Sequence, residues 1–398
     1  MFFKRLVVSG ACLAFVLGFA YYVARHPMDF RVYYYGSRGV FDGTRPVYGF
    51  TSGLGWPMHY RYPPLFLLIF APFALLPISW GAAVWLLLKV VALVGLLKMA
   101  FEHGLKPAAD GRHSALIAFL FIAPYLVEEF RYGNAQFFIF ALAAAALLLA
   151  NEWPVVSGAS LALGISVKVW PLFLLPYLAV RRKWRAVSYT LVFVTLLALL
   201  PGFYFGFASN FRLLGEWFSQ ETHTQLSENE IWFPNQSLRG VLMRYLTVVD
   251  YSQVPDSNYT QVNILSLDPA LVRQIWIGFS IAAYAGFLWL ANRRRYMADL
   301  LSQGLAFCLI AVLEPFTQKY ALAILLWPAL IIASATWKPR GRFLLSGAAI
   351  LALVQPLAPG AGAQRLLQVL GLDFVAAALV TVLFATACYD LPDSIPAR

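Results

Sequence analysis

The sequence predicts an all-α integral membrane protein whose helices cross the bilayer many times. Of its 398 residues, 61% are hydrophobic and only 12% are charged, whereas soluble globular proteins average about 25% charged residues. Apolar runs of membrane-spanning length recur from one end of the chain to the other. Short basic segments separate many of these runs, as is typical of cytoplasmic loops. We therefore interpret residues 1–398 as a single membrane domain.

Twelve apolar runs are predicted to span the membrane, and the basic segments between them set their orientation. The strongest basic segments are Lys4–Arg5, Arg181–Arg185, Asn292–Arg295 and Trp337–Arg342. The positive-inside rule places them in the cytoplasm, together with both termini. The long acidic segment 207–270 is then an outer loop. The predicted spans are residues 6–24, 79–101, 114–128, 136–150, 155–168, 170–181, 186–206, 271–291, 299–313, 318–335, 342–357 and 366–388.

Three apolar runs need separate treatment. The N-terminal run resembles a signal peptide but lacks a clear cleavage site, which favours a retained first helix. The run 62–77 is short and rich in proline, and a full span needs about 20 residues. We predict an interfacial helix there, so that residues 25–78 form one large outer loop. Residues 155–181 form either one long helix or two helices with a break at Lys168–Pro171, where proline removes a helix donor.

Composition also argues against several classes of protein. The net charge of +11 would favour nucleic-acid binding in a soluble chain, but here the basic clusters lie in loops that orient the protein and contact anionic lipids. No nucleic-acid partner is expected. Cys12, Cys308 and Cys388 lie inside apolar runs and predict neither a disulfide framework nor a metal site. The five histidines are scattered without ligand spacing.

With the predicted topology, the unusual polar residues gather on the outer face. Charged groups near membrane depth are costly unless they are paired, so they usually mark a polar cavity. The segments that supply them are Asp29–Arg38, His59–Pro64, Glu128–Gln136, Lys168, Trp232–Gly240 and Glu314–Tyr320. Their coincidence on one face predicts a functional site there.

Several of these segments resemble a known family. The runs "DFRVYYYGSRGVFDGTRPVY" and "YRYPPLFLLIFAPFALLP" resemble the first outer loop of glycosyltransferase family 87. The runs "GNAQFFIFALAAAALLLA", "GASLALGISVKVWPLFLLPYLAVRRKWRA" and "NQSLRGVLMRYL" are similar to later motifs of that family, in the same order. The resemblance covers about residues 29–330. It implies a GT-C-type helical bundle that transfers mannose from a polyprenyl phosphate, without a cofactor or a metal.

The resemblance also implies roles for individual residues. Asp29 would be the catalytic base, since GT-C enzymes use an aspartate of the first outer loop. Cations would hold the donor phosphate, and the candidates are Arg61, Lys168, Arg131, Arg239 and Lys319. Polar and aromatic side chains would bind the sugar or the acceptor: Tyr33, Tyr60, Tyr62, Asn134, Gln136, Asn235, Gln236 and Gln318. Family members often carry a histidine where this chain has "EPFTQKY", so either Gln318 or Lys319 contacts the donor here, or the donor differs.

Each assignment has a plainer alternative. Asp29 also suits the N-cap of a short helix, and the tyrosines also suit an interfacial aromatic belt. Arg131 can pair with Glu128 or Glu129, and Lys168 can extend to the membrane surface. Glu314 can pair with Lys319, and Lys89, in the middle of a span, needs a partner that the sequence does not identify.

Two other functional classes remain open at this stage. A transporter or flippase for a lipid-linked sugar would more often show two similar halves, and a structural membrane subunit would not need converging charges. The transferase interpretation places the protein in the cytoplasmic (inner) membrane, with its site on the periplasmic or extracellular side. Its partners would be a polyprenyl-phosphate sugar, a lipid or glycan acceptor and membrane lipids.

Overall fold

The structure is a computed structural model that describes residues 2–43, 46–49, 59–106, 112–227, 231–248, 260–293, 299–335 and 337–390. The regular secondary structure of these residues is helical, as the composition predicted. Parts of the predicted loops lie outside the described residues: residues 44–45 and 50–58 of loop 25–78, residues 107–111, and residues 228–230 and 249–259 of segment 207–270. Arg294 and Arg295 of the basic segment Asn292–Arg295 also lie outside them.

The helices follow one another closely along the chain. Those of the first half are α1 (Phe2–Arg25), α2 (Phe30–Phe41), α3 (Pro64–Ala74), α4 (Ile78–Glu102), α5 (Arg112–Tyr132), α6 (Gln136–Leu149), α7 (Pro154–Val167), a 3-10 helix (Trp170–Phe173), α8 (Leu174–Val180) and α9 (Trp184–Leu199). Those of the second half are α10 (Gly202–Phe205), α11 (Phe207–Ser227), α12 (Leu238–Leu246), α13 (Pro269–Arg293), α14 (Asp299–Leu313), a 3-10 helix (Lys319–Leu325), α15 (Leu326–Ser334), α16 (Pro339–Leu357), α17 (Gly360–Val369) and α18 (Leu372–Asp390).

Fewer of these helices than predicted are long enough to cross a membrane alone. Among the described residues, four qualify by length and composition: Ile78–Glu102, Arg112–Tyr132, Trp184–Phe205 and Pro269–Arg293. The pair α17 and α18, bent by 45°, would make a fifth. By contrast, α6 and α7 have 14 residues each, which is about 21 Å of helix against a hydrocarbon core of about 30 Å. The protein is thus an integral membrane protein of apolar helices, and the number of twelve spans is not confirmed.

Two groups of helices pack around a common apolar core. In the first, α1 packs on α4, α4 on α6, α6 on α7 and α7 on α9. The contact of α7 with α9 is close, because a Cβ atom at Gly158 would lie 2.5 Å from the Cβ atom of Tyr189. In the second group, α16 packs on α5 and α18, and α18 packs on α14. The 3-10 helix Lys319–Leu325 contacts both α5 and α6 and so joins the two groups.

The breaks between helices bear on three of the sequence predictions. Lys168 has an extended backbone, with φ −151° and ψ 137°, so the predicted break is confirmed and residues 155–181 form separate helices. The predicted outer loop 25–78 contains two short helices, α2 and α3, as expected. Helix α3 has only 11 residues, too few to cross a bilayer, while its interfacial position stays a prediction. Segment 207–270 is not a plain loop, because α11 and α12 occupy much of it.

Candidate active site

One large cavity of about 1200 Å³ collects the helix ends that the sequence marked as polar. Its wall includes Asp29 at the start of α2, Asn134 between α5 and α6, and Lys168 after α7. Glu314 and Lys319, between α14 and the following 3-10 helix, complete the same wall. Residues distant in sequence therefore share one end of the bundle.

Asp29 is held at the cavity wall by the segment that joins α5 to α6. Its backbone N–H donates to the Tyr132 carbonyl oxygen (2.9 Å), and the Asn134 amide Nδ2 donates to Asp29 Oδ2 (2.7 Å). The Asp29 side chain makes no capping bond to α2. It therefore does not serve as the side-chain cap that the plainer alternative required, and the carboxylate faces the cavity.

The surroundings of Asp29 favour its protonation at mildly acidic pH. Burial raises the pKa of Asp29 to about 6, because a charged carboxylate is poorly solvated there. The Asn134 hydrogen bond and the positive charges of Lys89 and Lys168 oppose this rise, while the negative charge of Glu128 adds to it. A carboxylate with a pKa of about 6 is ionised at neutral pH and can still accept a proton, as a general base must.

The turn between α5 and α6 depends on a glycine. Gly133 has φ +69°, a left-handed conformation that costs other residues about 1–2 kcal/mol. A Cβ atom there would also approach the Phe30 Cβ atom to 3.1 Å. After this turn, Asn134 Oδ1 accepts from the Gln136 backbone N–H (2.9 Å), which fixes the amide so that its Nδ2 points at Asp29.

Two of the predicted tyrosines, Tyr33 and Tyr62, line the cavity and also form hydrogen bonds with this turn. The Tyr33 and Tyr62 hydroxyls are 2.7 Å apart, and the Tyr33 hydroxyl accepts from the Ala135 backbone N–H (3.3 Å). Tyr62 lies 3.4 Å from Asn134 Oδ1 and donates to it. Tyr60 is buried and packs over Gly36, so it is not part of the cavity wall. A stacking role for these rings on a sugar stays a prediction.

The predicted phosphate-binding cations fall into two sets. Lys168, Arg61 and Lys319 line the cavity. Lys168 Nζ donates to a neutral amide oxygen, Gln136 Oε1 (3.1 Å). Arg61 instead pairs with Glu221 (3.1 Å), and Lys319 Nζ lies 3.9 Å from Asp373 Oδ1.

The other two cations lie away from the cavity wall. Arg131 makes two hydrogen bonds to Glu128, of 3.0 and 2.9 Å, which is the plainer alternative considered for it. Arg239 is buried, with its guanidinium 5.3 Å from the centre of the Trp276 ring.

The predicted sugar-binding amides are also divided. Asn134 and Gln318 line the cavity. Gln136 does not line it but accepts a hydrogen bond from Lys168, which does. Asn235 and Gln236 are fully buried and join the segment 232–237 to neighbouring chain. Asn235 Oδ1 accepts from the Thr317 backbone N–H (3.2 Å), and the backbone N–H of Gln236 donates to the Thr317 carbonyl oxygen (2.6 Å). In this structure they shape the loop rather than face the cavity.

Several cavity residues were not among the predicted site residues. Arg31 and Glu221 line the wall, and Arg31 follows Asp29 by two positions, a pattern that the sequence does show. The sequence offered Lys319 as one partner for Glu314, but Lys319 donates to Gln355, and the positive charge that acts on Glu314 is that of Lys168. Burial raises the pKa of Glu314, and Lys168 opposes the rise.

One side of the cavity is apolar and open. Ile277 and Ile281 of α13 line it, and they are 46% and 65% exposed. Phe173 and Val169 continue this surface next to Lys168, and both are exposed. The polar end of the cavity is thus continuous with an exposed apolar surface.

Comparison with known proteins supports the resemblance noted in the sequence. The chain is 23% identical over 354 residues to the polyprenol-phosphate-mannose-dependent alpha-(1-2)-phosphatidylinositol mannoside mannosyltransferase of Mycobacterium tuberculosis (strain ATCC 25618 / H37Rv), an alignment that covers 84% of this chain and 76% of the relative. No solved structure matches the chain significantly, so the GT-C architecture stays a prediction. The sequence profile of glycosyltransferase family 87 matches residues 60–262, more than half of the chain. The protein therefore belongs to glycosyltransferase family 87 and is a glycosyltransferase.

Proposed function

We propose that this protein transfers a hexose, most simply mannose, from a polyprenyl phosphate to a hydroxyl group of a lipid or glycan acceptor. Membership of family 87 supports transfer of a sugar. The name of the mycobacterial relative includes polyprenol-phosphate mannose as donor and a phosphatidylinositol mannoside as acceptor. By the positive-inside rule, the reaction would take place on the outer face of the cytoplasmic membrane.

The observation that carries the proposal is Asp29, partly buried in the cavity wall and oriented by Asn134. In the reaction, Asp29 accepts the proton of the acceptor hydroxyl while that oxygen bonds to the anomeric carbon of the sugar. The bond between this carbon and the phosphate oxygen breaks, and its electron pair leaves with the phosphate. Because attack and departure occur on opposite faces, the anomeric configuration inverts.

Lys168 is the cation best placed to receive the leaving phosphate. Lys168 Nζ donates to a neutral amide, Gln136, and the carboxylates whose charge acts on it, Asp29 and Glu314, also line the cavity. Arg61 and Lys319 lie closer to carboxylates, 3.1 Å from Glu221 and 3.9 Å from Asp373. The positive charge of Lys168 acts on Asp29, so the two groups belong to the same centre. A positive charge that meets the growing negative charge of the phosphate stabilises the transition state.

The apolar side of the cavity suits a donor that is itself a membrane lipid. A polyprenyl chain can lie against the exposed side chains of α13, such as Ile277 and Ile281, while its phosphate reaches Lys168. This geometry favours a lipid-linked donor over a soluble nucleotide sugar.

The donor phosphate is already a good leaving group, and we propose that the reaction is independent of a metal and of any cofactor. Within the described residues, no group of three or more His, Cys, Asp or Glu side chains lies close enough to hold a metal ion. Activity in the presence of a strong chelator would test this part of the proposal directly.

The central experiment measures sugar transfer by the purified protein in detergent. It uses radiolabelled polyprenyl-phosphate mannose and a crude envelope lipid acceptor, and compares wild type with Asp29→Asn and Asp42→Asn. Asp42 lies at the opposite end of α2 and pairs with Arg38 on the surface, so it is a matched control. We expect Asp29→Asn to lose about 10²–10⁴-fold in rate, to bind donor normally, and Asp42→Asn to retain activity.

Two results would contradict the proposal. Equal transfer by Asp29→Asn and wild type would place the base elsewhere. Movement of donor across liposome bilayers by wild type, without sugar transfer to any acceptor, would replace the transferase with the lipid-linked sugar transporter or flippase considered above.

A further inference from the structure

A fully buried ion pair joins two membrane-spanning helices below the site. Lys89 of α4 and Glu129 of α5 have no exposed side-chain surface, and Lys89 Nζ lies 2.9 Å from Glu129 Oε1. The same nitrogen also donates to the Glu129 carbonyl oxygen (2.9 Å). Charges inside membrane segments are costly and usually have a function, and the sequence left Lys89 without a partner.

The pair continues into the turn between α5 and α6. Glu129 Oε1 also accepts from the backbone N–H of Phe137 (2.9 Å), the second residue of α6. One turn before Lys89, the Trp85 indole N–H donates to the Gly133 carbonyl oxygen (3.0 Å). Residues four apart lie on the same face of a helix. One face of α4 therefore contacts this turn directly through Trp85 and indirectly, by way of Glu129, through Lys89.

The turn itself carries both ends of the proposed reaction centre. Asn134 Nδ2 donates to Asp29 (2.7 Å), and Gln136 Oε1 accepts from Lys168 (3.1 Å). A displacement of residues 133–136 would therefore misplace the proposed base and release the side chain that binds the proposed phosphate ligand. A shift of about 1 Å in such groups is enough to cost about 10²-fold in rate.

Stability alone does not explain a buried ion pair at this position. Apolar residues of similar volume are often as stabilising as a buried pair, because desolvation offsets much of the attraction between the charges. A pair of apolar residues would, however, offer no acceptor to the Phe137 N–H and no donor to the Glu129 carbonyl. The directional bonds of Lys89 and Glu129 distinguish this pair from simple packing.

We propose that Lys89 and Glu129 are positioning residues that fix the turn 133–136 and, through Asn134 and Gln136, orient Asp29 and Lys168 for sugar transfer. Neither residue lines the cavity, so neither contacts the substrates. This inference rests on the proposed transferase function for its kinetic consequences, but the anchoring of the turn can be measured without activity.

The kinetic test compares Lys89→Met, Lys89→Arg and the double variant Lys89→Met/Glu129→Gln with wild type. The control is Lys98→Met, since Lys98 lies on the same helix with its side chain 77% exposed. We expect kcat to fall about 10- to 100-fold in Lys89→Met. KM for the donor should change less than about threefold, because Lys168 keeps its charge and its backbone position at the end of α7 and loses only the orienting bond to Gln136. Lys89→Arg should recover part of kcat, and Lys98→Met should match wild type.

The double variant covers the case in which Lys89→Met does not fold. A single substitution leaves an unpaired buried charge, whereas the double variant removes both charges and keeps an amide acceptor for Phe137. We expect it to fold and still to lose at least about 10-fold in kcat. A folded double variant with the kcat of wild type would overturn the inference.

Hydrogen exchange of the turn provides a measurement that does not depend on activity. In the double variant, which keeps an acceptor for the Phe137 N–H, the backbone amides of residues 133–136 should exchange faster than in wild type, while those of α13 should not change. Unchanged exchange in the turn would also overturn the inference. If wild type showed no sugar transfer but exchange changed as expected, the proposed function would fail while the anchoring of the turn would stand.

Discussion

The hydrogen bond from Asn134 to Asp29 makes a quantitative prediction about pH. Replacing Asn134 by serine removes the donor to Asp29 Oδ2, now at 2.7 Å. A serine hydroxyl can accept a hydrogen bond from the backbone N–H two residues later, as an asparagine oxygen does, so the new side chain can still accept from the Gln136 N–H that Asn134 Oδ1 binds in wild type. The substitution therefore removes one contact of the proposed base while it preserves the local turn.

The size of the effect follows from the strength of that bond. A hydrogen bond to a charged group contributes about 1.5–3 kcal/mol, and one pKa unit corresponds to about 1.4 kcal/mol. The carboxylate faces an open cavity, where water replaces part of the lost bond, so we expect the pKa of Asp29 to rise by about one unit. The pKa of Asp29 would then move from about 6 to about 7.

The consequence is a loss of activity that depends on pH. A base must be ionised, so activity is present above its pKa and is lost as the pH falls through it. At pH 6.5 the ionised fraction of Asp29 would fall from about 0.76 to about 0.24, a threefold loss, whereas at pH 8.5 the two proteins would be nearly equal. Single-turnover transfer rates between pH 5 and 9 would measure this.

The control is Asn263→Ala, since Asn263 bonds only to the nearby Leu265 carbonyl among the contacts resolved for its side chain and lies outside the cavity wall. The pH profile of Asn263→Ala should have the same acidic limb as that of wild type. An Asn134→Ser profile with the same acidic limb as wild type, but with a lower rate at every pH, would refute the argument. Asn134 would then act on substrate or on folding and not through the protonation of Asp29.

Three further predictions concern the same cavity. Lys168→Ala should weaken donor binding about 10- to 100-fold, as expected for a lost charged hydrogen bond, while Lys168→Arg should keep part of the affinity; equal affinities in a lipid-phosphate binding assay would contradict the phosphate role. Gly133→Ala should lower the thermal midpoint by about 1–2 °C, because of its positive φ and the contact with Phe30. Gly278→Ala, where a Cβ atom would meet open space, should not, and equal shifts in both variants would show that the backbone conformation is not the cause. Glu314→Gln should tighten donor binding about two- to fivefold at low salt, because it removes a negative charge that partly neutralises Lys168 and repels the donor phosphate. The gain in affinity should shrink at high salt. A gain that does not depend on salt would point to a contact other than charge.

The sequence identified the polar groups of the site better than it identified their partners. Asp29, Asn134, Lys168 and Gln318 were predicted and share one cavity. Arg61 and Arg131 were predicted as phosphate ligands, yet each faces a carboxylate, Glu221 or Glu128. Glu128 lies three residues before Arg131 and was already considered as its partner. Glu221, however, is 160 residues from Arg61, and a one-dimensional pattern does not show which helix ends meet.

Asn235, Gln236 and Lys89 illustrate the same limit in another way. A sequence does not distinguish an amide that is buried from one that lines a cavity. Asn235 and Gln236 are buried and form hydrogen bonds with the backbone of Thr317. Lys89 was recognised as unusual because a charge within an apolar run is costly. Its partner Glu129, 40 residues away in sequence, is identified only by the tertiary structure, which brings the two side chains together.

The predicted number of twelve membrane crossings is not confirmed, because hydropathy measures apolar length and not the path of the backbone. Helices α6 and α7 are apolar throughout but have only 14 residues each. Their partners in the bundle, and not the lipid alone, cover their surfaces: Phe137, Ile139 and Phe140 of α6 are completely buried. An apolar run of this length is equally consistent with a buried core helix and a spanning one.

By itself, the sequence determined that the chain is helical, lies in a membrane and carries a family-87 glycosyltransferase pattern over residues 60–262. These properties follow from composition, from the period of apolar residues and from local motifs, all of which are written along one dimension. The tertiary structure decided which charges are neutralised, which amides face the cavity, and how Lys89 and Glu129 support the turn that holds Asp29. Those properties depend on distances of a few ångströms between residues far apart in the chain, which only the packing of the helices fixes.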